Sequence, residues 1–246
     1  MTAPVFVVDH FDAGGGGRYV LDGPEGRHAV SVKRLRAGED VVLTDGAGRW
    51  ADCVVLGAEG KDRLIVRLDS VTEEPAEEPR LTVVQALPKG DRGEVAVETM
   101  TEVGVDAIVP WAAARCITQW KGERGAKSLA KWRATAREAG KQSRRVRFPR
   151  VADAATSKRV ASLLAEAEFA AVLHESGTEP LASAELPASG DIVLVVGPEG
   201  GVSPEELALF EEAGARAYRL GPSVLRTSTA GTAAAALLLG RTGRWS

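Results

Sequence analysis

Cysteine is scarce in this sequence. Cys53 and Cys116 are the only two in 246 residues. That excludes a disulfide framework and makes a reduced, cytoplasmic setting the expectation. Long hydrophobic runs are missing too. The two longest candidates, residues 233–239 and 192–196, hold seven and five apolar residues, where a membrane span needs about 20. No membrane partner is therefore expected. The first residues lack a basic region followed by an apolar one, so no signal peptide is expected. His10, His28 and His174 are the only histidines. They lie far apart without ligand spacing, so no metal is expected. A P-loop is absent, and no G-x-G-x-x-G follows a strand pattern, which removes the common phosphate and dinucleotide fingerprints. Neither a nucleophile elbow nor an internal repeat is visible.

What is present is a globular balance, with 44% hydrophobic and 26% charged residues. The formal charge of −3 taken alone speaks against a nucleic-acid partner, but a whole-chain sum can hide a local field. Residues 115–150 hold twelve Lys and Arg against only Glu123 and Glu138, a net +10, which leaves −13 for the remainder. Within that stretch, residues 128–145 read as a helix. Leu129, Trp132, Ala136 and Ala139 fall on one narrow face at about 100° per residue, and the basic residues occupy a separate arc of roughly 160°. Such a face is either simply solvated or presented to an anionic partner. With so few acids interleaved, RNA is the reading pursued. A second basic cluster comprises Arg18, Arg27, Lys33, Arg34 and Arg36, beside His28.

Residues 73–79, with four glutamates and two prolines, cannot bury a face and read as a linker. Before it, residues 41–44 and 50–56 flank the turn Asp45-Gly46-Ala47-Gly48. With strand patterns at 5–8, 19–21 and 64–68, this predicts a small β-barrel over residues 1–72. The glycine run 14–17 reads as a turn. After the linker, strands at 81–87, 107–111, 170–174, 192–196 and 217–220 alternate with helices at 92–103, 128–145, 157–168, 204–213 and 227–239. That alternation predicts an α/β domain with a mostly parallel sheet over residues 80–246.

Two strand ends could carry chemistry. The strand at 192–196 runs into Gly197-Pro198-Glu199-Gly200-Gly201, and Ser203-Pro204-Glu205-Glu206 then opens a helix with a capping box. The strand at 217–220 runs into Gly221-Pro222, with Arg226 just before the last helix. The third, Leu173-His174-Glu175, could lie beside them. Glycines at the carboxyl ends of sheet strands let backbone approach a ligand closely, and a tight turn is the alternative.

These residues become recognisable as a set. Leu87-Pro88-Lys89-Gly90-Asp91-Arg92, Thr101-Glu102-Val103-Gly104-Val105, the 197–201 loop and Leu220-Gly221-Pro222 with Leu225-Arg226-Thr227 occur in this order and spacing. Together they resemble the bacterial 16S rRNA uracil-N3 methyltransferases, the RsmE-type branch of the SPOUT superfamily. The resemblance covers nearly the whole chain. It implies a PUA-like β-barrel domain followed by a SPOUT-type α/β domain with a C-terminal trefoil knot. It further implies a homodimer through the knot region, S-adenosyl-L-methionine as cofactor, and 16S rRNA of the small ribosomal subunit as substrate, methylated at N3 of one uridine. The cofactor loops carried over by motif are Leu173, His174 and Glu175; then Val196, Gly197, Pro198, Glu199, Gly200 and Gly201; and then Leu220, Gly221, Pro222, Val224, Leu225, Thr227 and Thr229.

RNA contacts are expected from Arg27, Lys33, Arg34 and Arg36 in the barrel, and from Lys89 and Arg92 after the first α/β strand. On and after the basic helix they are expected from Lys127, Lys131, Arg137, Lys141, Arg144, Arg145 and Arg147. Arg226 is the expected catalytic residue. A fixed cation there would stabilise charge developing on the uracil oxygens, although it could instead tie loops or hold a phosphate. The sequence departs from the family pattern at Thr99, Ser223 and Ser228, and at residues 141–147. Two other classes stay open: a SPOUT enzyme acting on another nucleoside or on ribose 2′-OH, and a non-catalytic RNA-binding assembly protein.

Overall fold

A computed structural model of the chain describes residues 3–11 and 17–245, so residues 14–16 of the expected glycine turn lie outside the described residues. Contacts divide the chain into two units. The first comprises residues 1–76 and 140–148, the second 77–139 and 149–246.

The first unit is a curled five-stranded sheet. Its strands are β1 (Val5–Val7), β2 (Arg18–Leu21), β3 (Asp40–Thr44), β4 (Arg49–Glu59) and β5 (Arg63–Glu73), in the order β1-β3-β4-β5-β2. The β3–β4 turn forms as expected, because the Asp45 carboxylate accepts from the backbone N–H of Ala47 and Arg49 at 2.7 and 3.1 Å. Alternate residues Val41, Leu43, Ala51, Cys53 and Val55 point into one core. Two register shifts between β4 and β5 curl the sheet. Burial pushes the Cys53 thiol up to about 12, which keeps it protonated.

One element was not legible in the sequence: helix α1 (Gly23–Arg27) continues as a turn of π-helix over His28–Val32. It carries the Arg27 and Lys33 neighbourhood. Residues 140–148 also join this unit, although the sequence places them in the α/β domain. Phe148 N–H donates to Gly46 O at 2.8 Å and Gly48 N–H to Val146 O at 3.0 Å. The Phe148 ring lies against Gly46 and Gly140, where a side chain on either glycine would collide with it.

The second unit is a seven-stranded, wholly parallel sheet. Its strands are β6 (Arg80–Ala86), β7 (Ala107–Trp111), β8 (Arg150–Val151), β9 (Phe169–Leu173), β10 (Glu179–Pro180), β11 (Asp191–Val196) and β12 (Arg216–Arg219). They lie in the order β10-β12-β9-β11-β6-β7-β8. Both faces are covered, and alternate residues of each strand feed two separate cores. Leu81, Val83, Ile192 and Leu194 pack with helices α2 (Arg92–Val103), α3 (Gly122–Gln142) and α6 (Thr227–Arg241). Val84, Val109, Val193 and Val195 pack with α4 (Ser157–Ala165) and α5 (Pro204–Glu212). This double burial is why the strands read as continuous apolar runs.

The basic helix packs as its periodicity requires, with Trp132, Ala136 and Ala139 buried. Its limits differ from the expected 128–145. It begins at Gly122 and closes at Gln142 in a turn where Arg145 N–H reaches Gly140 O at 3.0 Å. Near the C-terminus, Arg244 bonds Asp106, Glu77 and Pro79 O. Burial opposes its charge, yet the two carboxylates outweigh burial and hold it protonated.

Candidate functional site

Three strands that are distant in sequence end side by side. In the order β12-β9-β11 they are parallel neighbours, so the segments that follow them emerge at one sheet edge. Together they line a cavity of about 800 Å³. Residues 173–175 follow β9, 196–202 follow β11, and 218–227 follow β12. This edge is the usual ligand site of an open parallel sheet.

The β11 loop is held from behind. Ser203 caps α5, with its hydroxyl accepting from Glu206 N–H and the Glu206 carboxylate accepting from Ser203 N–H, both at 3.2 Å. The other Glu206 oxygen accepts from Ala114 N–H at 2.8 Å and from the Ser157 hydroxyl at 2.7 Å. One buried carboxylate thus clamps the loops after β11, β7 and β8. Glu199 accepts from Lys89 N–H at 3.1 Å, and Arg115 donates to Gly200 O at 3.1 Å. A Cβ on Gly200 would stand 3.2 Å from the Arg115 Cβ, and Gly201 has φ +73°, so both positions favour glycine.

The β12 loop is tied to the β11 loop through Thr227. Its hydroxyl donates to Gly197 O at 2.8 Å and accepts from the buried Gln85 amide at 3.0 Å. Thr227 is therefore committed to positioning the two loops, and its methyl is what remains for a ligand. Thr227→Val keeps the shape and removes both bonds. It is expected to lower stability by about 1–3 kcal/mol, because the buried Gln85 amide loses an acceptor and the part-buried Gly197 O loses its donor. Denaturant unfolding checks this.

Most of the predicted loop residues are brought together at this cavity: Leu173, His174 and Glu175; Val196 through Gly201; Leu220 through Pro222; and Val224, Leu225, Arg226 and Thr227. Thr229 does not line it; its hydroxyl donates to Arg226 O at 3.2 Å. His174 Nδ1 accepts from Ser176 N–H at 3.1 Å, which fixes the ring beside the cavity. Arg226 is exposed at the start of α6, and its guanidinium has no hydrogen bond or ion pair among the described residues. Val224 is 89% exposed beside it.

Sequence reasoning missed Arg115, Val202, Tyr218, Arg219 and Ala230 as lining residues and did not single out Ser223. Ser223 lies inside a motif already singled out, whereas Arg115 gave no local signal. Cys116 stands near this edge, but burial raises its thiol pKa, which disfavours a thiolate.

The expected RNA-contact residues divide between the units. Arg27, Lys33, Arg34, Arg36, Lys141, Arg144, Arg145 and Arg147 belong to the first; Lys89, Arg92, Lys127, Lys131 and Arg137 belong to the second. Two of these expectations are corrected. Lys141 is buried, with Nζ at 3.0 Å from both Glu25 oxygens, so its charge serves the fold rather than a phosphate. The Arg147 guanidinium donates to Glu74 O, which pins the start of the linker. Arg92 lines the cavity. Lys131, itself largely exposed, pairs with the more buried Glu94 at 3.2 Å. Lys127 is exposed, with no side-chain partner among the described residues.

Comparison with known proteins follows from this geometry. A family model described as an RNA methyltransferase domain matches residues 76–239, and one described as an RNA methyltransferase PUA domain matches residues 21–69. The chain is 46% identical to the ribosomal RNA small subunit methyltransferase E of Mycobacterium bovis, covering 100% of this chain and 94% of that one. Its Bacillus subtilis counterpart is 29% identical, covering 86% of each. Among solved structures, the ribosomal RNA small subunit methyltransferase E of Neisseria gonorrhoeae, bound to S-adenosyl methionine, superposes with a TM-score of 0.86. It is 29% identical, with 98% of each chain covered. A Legionella pneumophila methyltransferase in complex with the same cofactor also gives 0.86, at 27% identity and 98% coverage of each chain.

Proposed function

Since this chain belongs to the RNA methyltransferase family, in its RsmE-type ribosomal RNA branch, we propose that it methylates N3 of one uridine in 16S rRNA of the small ribosomal subunit. The cofactor is S-adenosyl-L-methionine. The observation that carries this reading is the cavity where β9, β11 and β12 end together.

The residues present fit that cofactor. Leu173, Val196, Leu220 and Leu225 offer apolar contact for a nucleoside, and Glu175 and Glu199 supply negative charge for a sulfonium and an ammonium. No side chain crowds the cavity at Gly221, where a Cβ would meet nothing within 4 Å. Once bound, the cofactor supplies an electrophilic methyl group. This chain's own part is positioning and electrostatics. Loss of the N3 proton spreads negative charge over uracil O2 and O4. Arg226, at the cavity with no side-chain partner among the described residues, offers fixed donors to that charge. Glu199 is taken up by Lys89 N–H and organises its loop.

Homodimerisation through a knotted C-terminal region belongs to the same reading. It is supported by two exposed apolar residues, Ala233 on α6 and Val95, 42% exposed, on α2. No helix among the described residues is long and apolar enough to cross a membrane. A cytoplasmic location is proposed with the ribosomal substrate.

The test is methylation of purified small subunits with labelled cofactor, followed by mapping. Label at N3 of a single uridine is the expected result. Label on another nucleoside or on ribose would point to a different member of the superfamily, and cofactor binding without transfer to any RNA would contradict the reading. RNA affinity is expected to fall steeply with salt, because each phosphate contact releases counterions.

A further inference from the structure

We infer that Arg34 and Arg144 form a phosphate clamp for RNA on the first unit, an inference that rests on the rRNA-substrate reading above. Among the described residues only two non-glycine residues hold a positive φ. They are Arg34 at +57° and Arg144 at +58°. This left-handed region crowds the Cβ of any L residue. Glycine occupies it freely, and Asn or Asp do so with help from a short polar side chain. Arginine has neither advantage.

Both arginines end a helical segment. Around Arg144 the bonds are those of a glycine-type cap: its own N–H reaches Lys141 O at 3.3 Å, and Arg145 N–H reaches Gly140 O at 3.0 Å. Around Arg34, Lys33 N–H reaches His28 O at 2.8 Å and Leu35 N–H reaches Ala29 O at 3.1 Å. Both side chains are exposed, and neither makes a hydrogen bond or ion pair among the described residues. Among the described residues, backbone cap bonds alone and no side-chain hydrogen bond or ion pair of either arginine offset the conformation.

The two ends are also physically joined. The buried Lys141–Glu25 pair ties the helix end that bears Arg144 to α1, whose π-helical extension leads to Arg34. Arg27, Lys33 and Arg36 are exposed on the same extension and the loop after it. Planar guanidinium forks without internal acceptors suit phosphate oxygens, which they bind bidentately. Contacts of that kind place a polynucleotide backbone without reading its sequence.

The test uses the full chain with Arg34→Gly and Arg144→Gly, singly and together, and the matching Gln variants. Each Gly variant is expected to unfold at the wild-type temperature or above it, since glycine relieves the conformation. The Gln variants gain nothing. Each single variant should bind purified small subunits about tenfold more weakly, as expected for one charge-assisted contact, and each double variant about a hundredfold. The slope of log affinity against log salt should become shallower by roughly 0.7 to 1 per arginine removed. Unchanged affinity and slope in the double variant, with wild type binding steeply, would overturn the clamp alone. A lowered unfolding temperature in the Gly variants would also overturn it, by making the arginines structural. Loss of polyglutamate binding with RNA binding intact would identify an acidic protein as the occupant and overturn it likewise. Wild type without salt-dependent RNA binding would overturn both the clamp and the ribosomal reading.

Discussion

Arg226→Ala is expected to lower the rate of methyl transfer about 10²- to 10³-fold while cofactor affinity stays within a few fold. The Arg226 backbone carbonyl anchors the start of α6, accepting from the N–H groups of Thr229 and Ala230, both at 2.9 Å. Alanine retains those bonds. The guanidinium itself has no partner among the described residues, so its removal leaves no buried group unpaired. The loss should therefore fall on kcat with bound cofactor little changed, as for an interaction made mainly in the transition state. Arg226→Lys is expected to recover part of the rate, since it restores the charge without the fork of donors. Near-normal turnover in Arg226→Ala would remove the assignment. A loss of cofactor affinity matching the loss of rate would make Arg226 a binding residue.

The second large effect is on stability. Lys141→Ala is expected to destabilise the protein by about 3 kcal/mol. It removes a cation that touches both oxygens of the largely buried Glu25 carboxylate. Part of that cost is the Glu25 charge held in a poorly solvated place with this cation gone. Glu25→Gln on the Lys141→Ala background should therefore recover a share of the loss, as should the swapped pair Glu25→Lys with Lys141→Glu. Denaturant unfolding of the four proteins separates the terms. Had Lys141 been a surface cation for RNA, its replacement would change stability by only a few tenths of a kcal/mol.

These two arginine and lysine positions illustrate which parts of the fold are legible in a sequence. Local periodicity places the strands of both sheets and the buried face of the basic helix, because side-chain direction repeats every 2 or 3.6 residues. Helix α2 and strand β7 have their expected limits, 92–103 and 107–111. The capping box at Ser203 and Glu206 forms as read, since it is a contact between residues three apart. The π-helical extension after α1 and the two-residue strands β8 and β10 were not legible. They are too short to establish a period, and contacts elsewhere in the chain stabilise them.

The sequence alone determined that positive charge is concentrated in one segment and that glycine loops follow two strands, with a third strand end at residues 173–175 as a candidate neighbour. Both are properties of residue order. Which of those cations are available, and which loops meet, was decided only by tertiary structure. Lys141 and Glu25 are 116 residues apart, and their pairing removes one cation from the surface, while the Arg144 side chain three residues on has no hydrogen bond or ion pair among the described residues. The strand order β12-β9-β11 places residues 173–175, 196–202 and 218–227 around one cavity. Such contacts depend on long loop closures and on burial that the whole fold supplies, so no local pattern encodes them.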